Sequence, residues 1–219
     1  GGTDAPFTYG LLKAWEALRV ISTDTCRPFC KDRSGMVLGE GAGMLVLESQ
    51  ETAITRDARI YAEIAGFGMS SDAGHITRPD VDGMATAMRN ALTSARIRAE
   101  TVDYVNAHGT GTTANDSAET EAIHRIFGAD AKSLAVSSTK SMHGHALGAA
   151  SALELIATTL ATHHRLIPPT ANFTESSSDC DLDYVPNDAR KRHIRAAISN
   201  SFAFGGLNTA ITVRSWPST

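Results

Sequence analysis

Two short polar blocks carry the side chains best suited to chemistry. They are Asn106-Ala107-His108-Gly109-Thr110-Gly111-Thr112, and Lys140-Ser141-Met142-His143-Gly144-His145 ahead of an apolar, helix-like run. His108 ends a predicted strand, and the glycines after it let backbone approach a ligand closely. His145 follows a strand, Lys140 and Gly144, and is expected at the first turn of a long helix. A helix N-terminus disfavours imidazolium, so a histidine there stays neutral and donates one hydrogen bond to an oxygen. In α/β folds, ligands meet the chain at strand ends. Such chemistry also needs a nucleophile, and none of the 219 residues reads as one. The chain is therefore expected to hold half of an active site.

Other polar groups take plainer readings. His124, His163, His164 and His193 fall at helix or loop positions and receive no role. His143 and His145 form a His-x-His pair, but no third ligand type lies nearby in sequence, so no metal site is assigned. Asp116-Ser117-Ala118-Glu119 has the spacing of a capping box, an acid at the helix start with Glu three residues on. Lys140 and Glu154 could form a buried ion pair that holds the site's geometry. The turn Gly39-Glu40-Gly41-Ala42-Gly43 has no Lys-Ser/Thr and leads into a strand, so it reads as a tight turn rather than a phosphate loop.

The elements that must position these groups follow from periodicity. Phe7, Leu11, Trp15 and Leu18 recur at helical spacing. Met36-Val37-Leu38 and Met44-Leu45-Val46-Leu47 read as short strands around the glycine turn. Beyond Thr55, strands are predicted at 60–67, 102–107, 134–138, 194–199 and 209–213, with helices at 83–95, 116–127 and 147–163. The stretch from Pro168 to Pro186 is an irregular excursion. Alternation of this kind implies a layered α/β domain.

Composition narrows the class. The chain is 42% hydrophobic with a formal net charge of -4, and its pI is near 6.1. That charge gives no basic footprint for nucleic acid. No apolar run reaches the roughly 18 residues of a membrane span. Cys26, Cys30 and Cys180 are an odd set with no Cys-x-x-Cys pair, which argues against a disulfide framework and a structural zinc site. A reduced, cytoplasmic setting is expected. The chain opens Gly1-Gly2-Thr3-Asp4 without an initiator Met or a secretory signal, and is read as a cut through a larger protein.

Three blocks carry a family resemblance: 106–112, Ser137-Ser138-Thr139 running into 140–145, and Asn200-Ser201-Phe202-Ala203-Phe204-Gly205-Gly206-Leu207-Asn208. They resemble the C-terminal signatures of β-ketoacyl-[acyl carrier protein] synthases of the elongating type, the thiolase-like condensing enzymes. Segments 38–48 and 66–73 are similar to that family too. The variants Lys-Ser-Met-His-Gly-His and Phe-Gly-Gly-Leu-Asn resemble its nodulation branch, whose members elongate unusual fatty acyl chains for a lipo-oligosaccharide signal. The resemblance implies a five-layered thiolase fold of two similar halves. Residues 1–51 would end the first half and residues 52–219 would form the C-terminal half.

The family's nucleophilic Cys sits in a Thr-Ala-Cys-Ser type turn of the first half, and no such sequence occurs here. Cys180, between Asp179 and Asp181, has neighbours that raise a thiol pKa. By resemblance, His108 and His145 donate to the malonyl thioester oxygen during decarboxylation, and Lys140 orients the site with Glu154 as partner. Asp116 and Glu119 support the network. The Phe204 N–H completes an oxyanion hole while its ring gates the acyl pocket, and Thr77, Thr110 and Thr112 bind the phosphopantetheine arm. Leu207 stands where Thr is common. The partners implied are acyl carrier protein and a second subunit in a homodimer; no cofactor is implied. Two alternatives stand beside this: a non-catalytic chain-length-factor type partner, and a thiolase-type enzyme acting on coenzyme A esters. Retention of His108, Lys140 and His145 favours the condensing enzyme, and no second Cys is placed as a thiolase requires.

Overall fold

The computed structural model describes residues 1–216. Ahead of the main sheet come β1 (Gly2–Asp4), α1 (Tyr9–Ala17), β2 (Gly41–Gly43) and α2 (Gln50–Thr55). There follow β3 (Ala62–Ser71), α3 (Val81–Ala95), β4 (Val102–Asn106), α4 (Thr113–Phe127) and β5 (Ala135–Ser137). The chain ends with α5 (Lys140–His143), α6 (Ala150–His164), β6 (Leu166–Ile167), β7 (Arg190–Lys191), β8 (Ala196–Ala203) and β9 (Leu207–Ser215).

The five-stranded sheet runs in the order β3-β9-β8-β4-β5. β4 pairs in parallel with β5 and β8, while β9 is antiparallel to β8 and β3. All five residues of β4 are buried, as a central strand covered on both faces requires. Alternation along the strands separates two apolar layers. Val105 and Ile198 join Met84, Met88 and Ala91 of α3 and Ile123 and Phe127 of α4. Tyr104 and Ala197 join Ala161 of α6 with Ile167 and Ile194. The result is a helix–sheet–helix sandwich. α3 lies so close to β3 that a Cβ on Gly68 would stand 2.1 Å from the Ala87 carbonyl.

Three expected features come out differently. Met36–Leu38 forms no strand, only isolated bridges from Met36 to Ile21 and from Leu38 to His145. Met44–Leu47 is not a strand either; Met44, Val46 and Leu47 are exposed, and the strand is the glycine segment itself, paired with β1. Small residues suit that ladder because it presses on α6, where a Cβ on Gly43 would lie 3.0 Å from Ile156. Thirdly, the helix expected to open at Asp116 starts at Thr113 with Thr112 as N-cap. Asp116 and Glu119 are fully buried within it, so they form no capping box.

Candidate active site

Parallel pairing of β4 with β5 puts Asn106 opposite Ser137, so the segments leaving both strands emerge side by side. One brings His108 and the other Lys140. The Lys140 ammonium is fully buried and spends its donors on three acceptors. These are the His108 carbonyl at 2.6 Å, His108 Nδ1 at 3.1 Å and Glu154 Oε1 of α6.

His145 lies ahead of α6 rather than in its first turn. A 3-10 turn, Leu147–Ala149, intervenes, and Leu147 N–H donates to His145 Nδ1 at 3.1 Å. Both imidazoles thus accept at Nδ1, which leaves each neutral ring with its proton on Nε2. The rings meet edge to face, with centroids 5.3 Å apart and planes at 85°. Burial, reinforced by the Lys140 ammonium, holds His108 well below the ordinary histidine range and His145 at about 3. Neutrality therefore comes from desolvation and a neighbouring cation, not from a helix dipole.

The acids expected to support the site are placed behind it. Glu119 accepts the N–H groups of His108 (2.9 Å) and Gly109 (2.8 Å) and the Asn200 amide (3.1 Å). Asp116 accepts Phe29 N–H at 2.8 Å and Gly111 N–H at 3.3 Å. Burial raises all three carboxyls; Asp116 reaches about 6, and Glu154 is raised even with Lys140 pulling it down. Asn106 and Asn200 were not among the expected site residues. Asn106 donates to the Glu154 carbonyl and to Thr158 Oγ1, each at 3.1 Å, and so ties β4 to α6. Their signal was position inside the polar blocks.

His108 and His145 line one cavity of about 480 Å³, together with Thr77, Thr110, Thr112 and Phe204. Thr110 and Thr112 share a hydroxyl hydrogen bond of 2.8 Å. Phe204 sits on the β8–β9 turn, whose Gly205 and Gly206 take φ of 88° and 77°, values that favour glycine. Trp15 of α1 packs on its ring at 5.7 Å. The turn is latched: Gly205 N–H donates to the Ile76 carbonyl at 2.8 Å, and Asp72 N–H to the Gly206 carbonyl at 2.9 Å. Asp72 also accepts the Asn208 amide at 2.6 Å. His143 is not part of the lining; its Nδ1 pairs with the Gly144 carbonyl at 2.9 Å.

None of the thiols is suited to attack. All three cysteines are buried, and burial pushes Cys26 and Cys180 each up to about 12. For Cys180 desolvation is the largest cause; the Thr120 hydroxyl and Arg33 oppose it, and Asp116 and the neighbouring Asp179 add smaller upward pushes, so the direction read from sequence stands while its main cause is burial.

Two neutral imidazoles line one cavity on a mixed sheet between helices, an arrangement of the thiolase-fold kind that can offer two N–H donors to one oxygen. Residues 61–174 match the beta-ketoacyl synthase C-terminal domain and residues 1–53 the N-terminal domain of that name. The chain belongs to the beta-ketoacyl synthase family. Nodulation protein E of Rhizobium sp. (strain N33) is 58% identical over 98% of this chain and 53% of its own length. 3-Oxoacyl-[acyl-carrier-protein] synthase 2 of Coxiella burnetii is 49% identical over 97% and 53%. Among solved structures, the ishigamide ketosynthase/chain length factor superposes with a TM-score of 0.95 at 44% identity, covering 99% of this chain and 53% of that one. A type II PKS acyl-carrier protein in complex with its ketosynthase gives 0.96 at 38%, covering 99% and 55%. The chain spans about half the length of the curated relatives it matches.

Proposed function

We propose that this chain is the C-terminal part of a β-ketoacyl-[acyl carrier protein] synthase and forms the decarboxylating side of its active site. The observation that carries this reading is the paired Nε2–H groups of His108 and His145, both held neutral beside the buried Lys140. An acyl group first passes from acyl carrier protein to a thiol supplied by sequence outside these residues. Malonyl carrier then enters, and the bond between its carboxylate and methylene carbons breaks. Carbon dioxide leaves, and the bonding pair moves onto the thioester oxygen as an enolate. His108 and His145 donate to that oxygen; donors of this kind are worth about 2.7–4 kcal/mol each. The enolate carbon attacks the acyl thioester and the thiolate departs. Phe204 N–H, with that of the thiol-bearing residue, receives the charge of this second step, and the Phe204 ring gates the acyl pocket.

Lys140 acts as a positioning residue, with Glu154 as its counter-charge and with Asp116 and Glu119 bracing the loops. Thr77, Thr110 and Thr112 hold the phosphopantetheine arm. Residues 1–51 close the first half of the fold and 52–219 form the second, in a cytoplasmic homodimer that meets acyl carrier protein.

The test is made in the protein with its upstream sequence. His108→Ala and His145→Ala should each abolish malonyl decarboxylation while acylation of the thiol persists. Acylation lost with decarboxylation intact would overturn the assignment. Wild-type protein that performs neither step would favour a chain-length-factor type partner, as one structural neighbour's pairing allows.

A further inference from the structure

His145 is unusual in being clamped through its backbone on both sides by one remote segment. Its N–H donates to the Val37 carbonyl at 2.7 Å, and its carbonyl accepts Gly39 N–H at 2.9 Å. Together these make a parallel bridge between His145 and Leu38. We infer that Gly39 is a positioning residue for His145, fixing where the imidazole stands through a backbone seam that a side chain would force open. The inference rests on the reading of His145 as an enolate-stabilising donor.

The seam is too narrow for a Cβ. One built on Gly39 would lie 2.3 Å from the His143 carbonyl oxygen and 3.3 Å from the Gly144 carbonyl carbon. One built on Gly144 would lie 2.9 Å from the Leu38 carbonyl oxygen, at a φ of 74°. Each neighbour is backbone, so relief requires the two segments to part. Nor can the His145 side bend alone, because Gly144 N–H is bonded to the Lys140 carbonyl at 2.9 Å. Parting the seam therefore moves His145 against both Lys140 and His108. Gly41, two residues on, provides the contrast: its Cβ would meet only the Leu153 side-chain terminus, at 3.2 Å. The glycine turn that looked like simple punctuation in the sequence thus sets one of the two donors.

The test uses the protein with its upstream sequence. In wild type, the Gly39 and His145 amides should exchange with deuterium as slowly as those of β4; exchange at loop rates overturns the clamp. Gly39→Ala should lower malonyl decarboxylation about 100-fold, the cost of a misplacement near 1 Å, while thiol acylation stays near its wild-type rate. The ¹⁵N signals of His145 should shift in Gly39→Ala and not in Gly41→Ala. A folded Gly39→Ala that decarboxylates as wild type, or that loses both steps equally, overturns the proposal. Should Gly39→Ala not fold, amide exchange in wild type decides. Wild type that never decarboxylates malonyl carrier defeats the functional reading alone; exchange and histidine spectra still judge the clamp.

Discussion

Replacing His145 with Asn isolates the proton equilibrium that keeps this imidazole neutral. The Asn Oδ1 atom can take the place of Nδ1 as acceptor for Leu147 N–H, so the local bond survives while the titrating ring is removed. In the folded chain burial and the Lys140 ammonium hold His145 at about 3, against 6.5 when unfolded. Between those values the unfolded state binds the extra proton. Wild-type stability attributable to this group is therefore full above pH 6.5 and falls as pH drops below it, by about 1.36 kcal/mol per unit. From about pH 7.5 to about pH 5 the loss comes to about 2 kcal/mol, and cavity water reduces it to about 1–2 kcal/mol. The variant has no such slope.

Urea unfolding of wild type and His145→Asn at the two pH values gives four free energies and one decisive difference. The variant should be the less stable at the higher pH, and its deficit should shrink by about 1–2 kcal/mol at the lower. Asp116, Glu119 and Glu154, all raised by burial, titrate in both proteins and cancel in the comparison. A deficit that does not change with pH would show that His145 titrates as it does when exposed, and the case for two neutral donors would fall with it.

Two further outcomes are expected. Glu119→Gln offers one acceptor where the carboxylate serves the N–H groups of His108 and Gly109, so unfolding should show a loss of about 2–3 kcal/mol; an unchanged midpoint would mean that Glu119 does not brace the loop. Cys26, Cys30 and Cys180 are 3%, 0% and 0% exposed, so a chromogenic disulfide at mildly alkaline pH should label the folded chain slowly and all three thiols in urea; rapid labelling of one thiol in the folded chain would contradict their burial.

Much of the fold was legible because hydrophobic period and strand-end chemistry agree. β4 and α3 fall where their patterns put them, and His108 and Lys140 converge because parallel neighbours must emerge together. What sequence hid was partnership. Met44–Leu47 has the apolar run of a strand, but pairing needs a neighbour, and the described residues supply none. Asp116 and Glu119 have capping spacing, yet spacing cannot tell a carboxylate that caps its own helix from one turned inward to another loop's N–H groups. The role of Gly39 was invisible for the same reason: it depends on how near a distant carbonyl comes.

The proposed mechanism also gives a reason for a lysine to stand behind histidines that burial and its charge keep neutral. A carboxylate at His108 Nδ1 would accept a hydrogen bond from Nδ1–H and stabilise imidazolium, which on the proposed mechanism would deliver a proton to the developing enolate instead of a hydrogen bond. An ammonium in that place donates to Nδ1, opposes protonation by its charge and leaves Nε2–H as the donor. The cost is a buried cation, offset by Glu154 and the His108 carbonyl. Substituting Lys140 should therefore harm decarboxylation through the state of His108 even though its ammonium, being wholly buried, meets no substrate.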